Sequence, residues 1–213
     1  IAKSSHPDVL VMTATPIPRS LALTMFGDMS VSHIKTKPKK RLPIVTSIIS
    51  NSKKDELIQS LSKKLLLGEK IYWVCPLIDQ NDKLLEDRDV QSSSKDIIDS
   101  GKDIQYADVT ARYQELSKIY PNRVGMLHGK MKSSIKDNIM QEFKDGEINI
   151  LVSTTVVEVG IDVSDATLII IENAEKFGLA QLHQLRGRVG RGELQSYCML
   201  MYNPKRMSGT SKK

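Results

Sequence analysis

Three arginines, Arg186, Arg188 and Arg191, lie within six positions of one another and are separated by Gly187 and Gly190. A guanidinium is planar and permanently charged, and its fork can donate two parallel hydrogen bonds to a phosphate. Glycine carries no side chain, so the backbone can approach a flat, charged ligand closely. The cluster therefore predicts phosphate chemistry, either at a nucleotide or as a general anion or nucleic-acid patch.

Three earlier segments place polar residues directly after short apolar runs. These segments are Thr-Ala-Thr-Pro at 13–16, His-Gly-Lys at 128–130 and Ser-Thr-Thr at 153–155. The apolar runs predict strands, and the carboxyl ends of parallel strands form the ligand crevice of a doubly wound sheet. We therefore expect these polar segments along one edge of such a sheet.

In this order, the four segments resemble motifs III, IVa, V and VI of superfamily 2 helicases, at residues 11–19, 126–131, 153–163 and 181–192. Three flanking stretches are similar to the RecG family of bacterial DNA helicases, at residues 13–24, 27–28 and 172–180. The resemblance covers roughly residues 8–204. It leaves out a polar insert in the middle, which RecG-like chains cross in fewer residues.

The resemblance implies roles at a nucleotide. Arg188 and Arg191 would reach the γ-phosphate of ATP bound on another lobe, where a guanidinium stabilises the negative charge that develops during hydrolysis. Gln184 would couple the nucleotide state to motif III, and the segment with Gly160 and Asp162 would accept a ribose hydroxyl. From the residues alone, a basic surface turn and an ordinary turn or helix-cap aspartate stay open as alternatives.

The resemblance also implies contacts with nucleic acid. Thr154 and Thr155 would offer hydroxyls and backbone amides to a phosphate, and Gly129 and Lys130 would offer close approach and charge. Strand-end threonines are also common without any ligand. His128 is interpreted as a hydrogen-bonded structural residue rather than a catalytic base, and neither Arg186 nor Glu158 receives a definite role.

Thr13, Thr15 and Arg19 resemble motif III, which implies a role in coupling two motor lobes. The sequence contains neither a Gly-x-x-x-x-Gly-Lys-Ser/Thr phosphate loop nor, at the end of a predicted strand, an Asp-Glu-x-x magnesium motif. ATP and Mg²⁺ would then be held mainly by a first lobe, which the family's order places before this chain, after a wedge domain for forked DNA. The 213 residues alone are expected not to hydrolyse ATP.

Strands alternate with helices after residue 43. The predicted strands are 44–49, 71–77, 123–127, 148–152, 168–171 and 197–202. Residues 106–119 and the arginine motif are predicted helices, and two more should start at capping boxes of Ser52 and Ser134. Their predicted buried faces are Leu57, Ile58, Leu61, Leu65 and Leu66, then Ile135, Ile139, Met140 and Phe143. The alternation predicts an α/β fold, a RecA-like, three-layer, doubly wound parallel sheet.

The domain organisation follows from these patterns. Residues 1–43 are interpreted as the end of a first helicase lobe with a basic, proline-containing linker, and residues 44–204 as the second RecA-like lobe. Residues 79–104 are polar and are interpreted as a flexible insert, because low hydrophobicity cannot offset the entropy of ordering. Residues 205–213 would begin a further segment.

Composition restricts the setting. The net charge of +6 is compatible with a polyanionic partner. Cys75 and Cys198 lie far apart in apolar runs, so we expect buried thiols and a reducing cytoplasm. We expect no membrane partner, because there is no signal peptide or membrane-spanning run, and no metal site, because no cluster has metal-ligand spacing.

The implied function is that of the C-terminal motor lobe of an ATP-dependent DNA helicase or translocase, which remodels branched DNA and stalled forks in recombination and repair. The motor of a transcription-repair coupling factor shares residues 177–184, and a catalytically silent nucleic-acid-binding lobe is a third possibility. Residues 21–24 and 27–28 favour the RecG family, and the intact arginines argue against a silent lobe.

Overall fold

The structure is a computed structural model that describes residues 32, 34, 36, 41–77, 107–154, 163 and 165–204. Contacts divide the chain into Ile1–Pro38 and Lys39–Lys213, and the fold given below is that of the second unit. The motif III residues, the polar insert predicted at 79–104 and the segment 205–213 lie outside the described residues.

The described strands form one parallel sheet. They are β1 Val45–Ser50, β2 Lys70–Cys75, β3 Val124–Leu127, β4 Ile150–Thr154, β5 Ala166–Ile171 and β6 Tyr197–Tyr202. Their order across the sheet is β1-β6-β5-β2-β4-β3, and each neighbouring pair is parallel. This arrangement confirms the predicted doubly wound α/β fold.

Helices cover both faces of the sheet. The described α-helices are α1 Lys54–Leu66, α2 Ala107–Ile119, α3 Ser133–Asp145 and α4 Leu179–Arg186. On one face, Leu61 of α1 and Leu116 of α2 share a core with Trp73. On the other face, Phe143 of α3 lies in a core with Ile169, and α4 packs against the same core. The fold therefore has the three layers predicted.

The central strands are buried on both faces, which explains their aliphatic composition. Every residue of β4 and β5 is buried. Cys75 and Cys198 are free and buried, as predicted, and burial raises the pKa of the Cys198 thiol to about 11. No helix in the described ranges combines the length and apolarity needed to cross a membrane.

Both predicted capping boxes are wrong. Ser50 provides the cap before α1, because its hydroxyl accepts the backbone N–H of Ser52 at 3.3 Å and a 3-10 turn, Asn51–Lys53, intervenes. At α3, Lys132 occupies the cap position without a side-chain bond, and Ser134 lies inside the first turn. The serine spacing alone did not reveal these neighbouring turns.

Two of the residues predicted in the helix cores are also exposed. Leu66, the last residue of α1, is 87% exposed, and Ile135, in the first turn of α3, is 45% exposed. Both lie at helix ends, where the apolar face has already turned away from the sheet. The predicted stops are right: Gly68 and Gly146 adopt left-handed conformations with φ of 71° and 83°.

Candidate functional site

Strands β3 and β4 end at the same side of the sheet, which we call the carboxyl edge. β3 and β4 are parallel neighbours, with Leu127 opposite Ser153, so the loop after β3 and the end of β4 emerge together. The structure therefore brings the His128–Lys130 loop and Thr154 to one edge, as the sequence predicted.

The loop after β3 is exposed and positively charged. Gly129 and Lys130 are exposed, and the Nζ atom of Lys136 on α3 donates to the carbonyl of Gly129 at 3.0 Å. The first turn of α3 holds no acidic residue, so the positive end of the helix dipole adds to the lysine charges. Burial, Lys130 and Lys136 together lower the pKa of His128, which keeps its imidazole neutral at neutral pH. The exposed lysine charge and the accessible backbone suit this loop to a phosphate.

Thr154 differs from this loop because it is buried. It is 1% exposed, and its Oγ1 atom has no hydrogen-bond partner among the described residues. A phosphate contact in this conformation would have to come from the backbone, or the side chain would have to turn. Thr155, its predicted partner in nucleic-acid binding, lies outside the described residues.

The arginine loop lies at the opposite side of the sheet, which we call the amino edge. α4 carries the chain back from the end of β5 to the start of β6, so the loop after it meets the residues that precede β1. Gln195 Nε2 donates to the carbonyl of Pro43 at 2.8 Å, and Val45 N donates to the carbonyl of Ser196 at 3.0 Å. A strand of six residues spans about 20 Å, so two candidate sites lie at opposite ends of the sheet.

The two glycines of the arginine loop, Gly187 and Gly190, differ in backbone conformation and in packing. Gly190 has φ of 72°, and a Cβ atom there would lie 2.8 Å from Cγ1 of Ile44. Gly187 keeps a right-handed conformation at the end of α4, and its N–H donates to the carbonyl of His183 at 3.1 Å. The conformation and packing of the loop thus require Gly190 independently of any ligand.

The arginine side chains are held in place but not enclosed. Arg188 and Arg191 are half-buried, and Nε of Arg191 donates to the carbonyl of Gly187 at 3.3 Å. Arg186 contacts Nδ1 of His183 on α4 at 3.1 Å. Within the part of the chain that the structure describes, Arg188 forms no salt bridge with a carboxylate. Its charge is therefore available to an anion.

Of the other residues predicted to contact the nucleotide or couple the lobes, only one lies within the described ranges. Gln184 lies exposed on α4, whereas Gly160, Asp162 and the motif III residues Thr13, Thr15 and Arg19 fall outside the described residues. Val163, the residue after Asp162, is buried, and its carbonyl accepts the N–H of Ala166, the first residue of β5. Val163 thus lies at the amino edge, next to the start of β5.

Sequence reasoning missed a largely buried ion pair at the carboxyl edge, whose side chains are 11% and 13% exposed. Glu172, directly after β5, accepts hydrogen bonds from Trp73 Nε1 at 2.9 Å and Arg112 Nε at 3.1 Å. The Arg112 guanidinium also lies 5.3 Å from the centre of the Trp73 ring. Burial alone would raise the pKa of Glu172, but the hydrogen bonds and charge of Arg112 hold it below its ordinary value. A carboxylate directly after a buried strand was a usable signal, whereas nothing in the sequence marked Arg112.

No group of three or more His, Cys, Asp or Glu residues suited to a metal ion occurs in the described ranges. The amino edge offers cations and hydrogen-bond donors to a phosphate. The described residues at this edge therefore fit the phosphate end of a nucleotide.

Comparisons with known proteins agree with this geometry. The model of the helicase conserved C-terminal domain matches residues 52–193. The chain is 45% identical over 208 residues to the ATP-dependent DNA helicase RecG of Staphylococcus aureus, which covers 97% of the chain and 28% of that protein. The RecG of Staphylococcus epidermidis is 47% identical with the same coverage. The chain thus spans about 28% of the length of these relatives.

Solved structures of helicases are also similar to this chain. A structure of RecG bound to a three-way DNA junction superposes with a TM-score of 0.70 and 36% identity, covering 93% of this chain and 23% of that one. The S. cerevisiae protein Dbp5 bound to RNA and ADP BeF3 has a TM-score of 0.52 and 14% identity, covering 87% of this chain and 42% of that one, which shows a shared fold alone. The chain belongs to the helicase conserved C-terminal domain family and is similar to RecG over nearly its whole length.

Proposed function

We propose that this chain is the C-terminal motor lobe of an ATP-dependent DNA helicase or translocase of the RecG type. The observation that carries the proposal is the separation of two positively charged loops at opposite edges of one sheet. The arginine loop occupies the amino edge, and the lysine-bearing loop after β3 occupies the carboxyl edge. A motor lobe needs both regions, because it must sense a nucleotide at one place and hold a strand at another.

At the amino edge, Arg188 and Arg191 would stabilise the γ-phosphate of ATP as charge develops on it. The sequence has no phosphate loop, so a first helicase lobe in the same polypeptide would hold ATP and Mg²⁺. Gln184, Gly160 and Asp162 would complete the contacts to the nucleotide, and Thr13, Thr15 and Arg19 would couple the two lobes. Closing and opening of the lobes would then alternate with hydrolysis.

At the carboxyl edge, Gly129 and Lys130, with Thr154 and Thr155, would contact the DNA backbone. Branched or forked DNA is the proposed substrate, supported by the similarity to RecG, one structure of which holds a three-way junction. A wedge domain of the same polypeptide would split the fork, and the process would serve recombination and repair. Action in the cytoplasm is part of the proposal and is supported by the two free cysteines.

The test uses a chimera in which this chain replaces the 208 matched residues of the S. aureus relative. We expect the chimera to hydrolyse ATP in a DNA-stimulated reaction and to unwind a three-way junction. The isolated 213-residue chain should show no turnover, because it lacks the phosphate loop. Hydrolysis by the isolated chain, or a folded chimera without DNA-stimulated hydrolysis, would contradict the proposal.

The proposed DNA contact at the carboxyl edge can be tested separately. Lys130→Ala in the chimera should reduce the slope of log affinity against log salt concentration by about 0.9, the value for one lost phosphate contact. The matched control is Lys118→Ala, an exposed lysine in the last turn of α2, whose end faces the amino edge. The measurement is fluorescence anisotropy with a labelled junction over a salt series. Equal slopes for Lys130→Ala and the unsubstituted chimera would remove this loop from the interface.

A further inference from the structure

One buried lysine at the amino edge joins three elements of the lobe. Lys70, the first residue of β2, is only 4% exposed. Its Nζ atom donates to Oδ2 of Asp165 at 2.5 Å and to the carbonyl of Lys144 at 2.6 Å. A buried ammonium is costly unless it is paired, so the two partners fix its position and their own.

The first partner lies at the end of α3. The last carbonyls of a helix lack intrahelical partners and carry the negative end of its dipole, so the Lys70 ammonium complements this end. The other end of α3 lies at the carboxyl edge, where Lys136 binds the Gly129 carbonyl. α3 has 13 residues, a rod of about 20 Å that reaches from one edge to the other.

The second partner lies in the turn that follows motif V. Asp165 stands between Val163, buried in the core, and Ala166, whose N–H donates to the Val163 carbonyl at 3.3 Å. This turn directly follows the segment with the proposed ribose-binding acid. Lys70 thus connects the helix that starts beside the proposed DNA contact to the turn that follows the proposed nucleotide-binding segment in the sequence.

We propose that Lys70 is a positioning residue that couples the DNA edge to the nucleotide edge through α3 and the Asp165 turn. This inference rests on the proposed function, since it assigns the two edges to DNA and ATP. A shift of α3 on DNA binding displaces the Lys144 carbonyl, and Lys70 passes that displacement to Asp165. The alternative is a purely structural ion pair, whose loss would affect stability alone.

The chain offers a matched control at the same edge. Lys64 pairs with Glu69 at 2.6 Å, and its Nζ atom lies 5.0 Å from the centre of the Tyr197 ring. Glu69 also accepts a hydrogen bond from Thr167 on β5. This pair joins α1, β5 and β6, and among the described residues no hydrogen bond or salt bridge links it to α3 or Asp165, so Lys64→Met tests for general damage to the edge.

The experiment measures ATP hydrolysis by the chimera with and without a three-way junction. Lys70→Met keeps the apolar stem and removes the ammonium. We expect the KM for ATP to rise and the stimulation by DNA to fall, each by roughly 2- to 30-fold, the range for a residue that carries coupling. Without nucleotide, the affinity for the junction should stay unchanged, because a loss of coupling alters it only when ATP is bound. Asp165→Asn should act in the same direction, and combining it with Lys70→Met should add little more.

Each outcome decides the inference. It is overturned if Lys70→Met only lowers the melting temperature, or if Lys64→Met changes KM and stimulation as much. If Lys70→Met does not fold, Asp165→Asn decides, because the Asp165 side chain is 52% exposed and its replacement should preserve the fold. Unchanged KM and stimulation in that variant would then overturn the inference. A chimera that lacks DNA-stimulated hydrolysis before any substitution refutes the proposed function instead.

Discussion

Replacing Arg188 or Arg191 by alanine is expected to lower the kcat of ATP hydrolysis in the chimera by about 10³–10⁵, the range for an arginine that stabilises a transferring phosphoryl group. Charge grows on the γ-phosphate oxygens in the transition state, so the loss should fall on kcat more than on the KM for ATP. The melting temperature should change little, because half-exposed arginines contribute only about 0–1 kcal/mol to stability. Steady-state kinetics with saturating junction, alongside thermal melting, measure both effects.

Two controls separate charge from geometry and from general damage. Arg188→Lys and Arg191→Lys should rescue poorly, because lysine keeps the charge but loses the planar, two-pronged donor. Arg123→Ala tests an exposed arginine just before β3, whose side chain binds Asn149 at 2.7 Å, and it should leave kcat unchanged. Near wild-type rates in both alanine variants would remove the γ-phosphate role. Loss of folding in both would make these arginines structural.

The sheet could be predicted because its strands carry strong local signals. β6 occupies the predicted residues, and β5 extends the predicted strand by only two residues. Each is a short apolar run next to a helix, and parallel pairing follows from that alternation. The glycine stops at Gly68 and Gly146 were equally local, since a left-handed residue after a helix favours glycine.

The division of the site into two edges required one further step. Motifs IVa and V follow strands, whereas the arginines lie at the end of α4, just before β6. A helix that crosses back over a parallel sheet returns to the amino edge, so the loop after it cannot share a crevice with the ends of the strands. The order of the elements is enough to predict this geometry. The motifs alone did not predict it, because three of the four follow predicted strands and only the arginine motif lies at the end of a helix.

Long-range pairs were not predictable in the same way. Arg112 and Glu172 are separated by 60 residues, and Lys70 and Asp165 by 95. Neither pair has a spacing that local periodicity can mark, because the fold alone brings the partners together. Leu66 shows the opposite failure. Its apolar type and helical spacing predicted a buried residue, but it is the last residue of α1 and is exposed.

The buried pair of Arg112 and Glu172 gives the largest expected effect on stability. Arg112→Met in the full chain should lower the free energy of unfolding at neutral pH by about 3–5 kcal/mol, because it leaves the Glu172 carboxylate buried without its partner. Glu115 also binds Arg112, but in the variant it retains its salt bridge to Lys54 at 2.9 Å. The carboxylate that loses its cationic partner is therefore that of Glu172. Chemical denaturation followed by Trp73 fluorescence measures the change.

The pH dependence distinguishes this effect from lost packing. In the native chain the pKa of Glu172 lies below its ordinary value, so the pair stabilises the fold above about pH 4.3 and this stabilisation is lost as the pH falls through the native pKa. Without Arg112, burial raises the pKa of Glu172, and protonation on acidification then relieves the unpaired charge. The difference in stability between the two proteins should therefore shrink as the pH falls from 7 to about 4. Adding Glu172→Gln to Arg112→Met should recover part of the loss at neutral pH, since no buried charge remains. A difference that is the same at both pH values, with no recovery in the double variant, would assign the loss to the packing of Arg112 against Trp73 rather than to the ion pair.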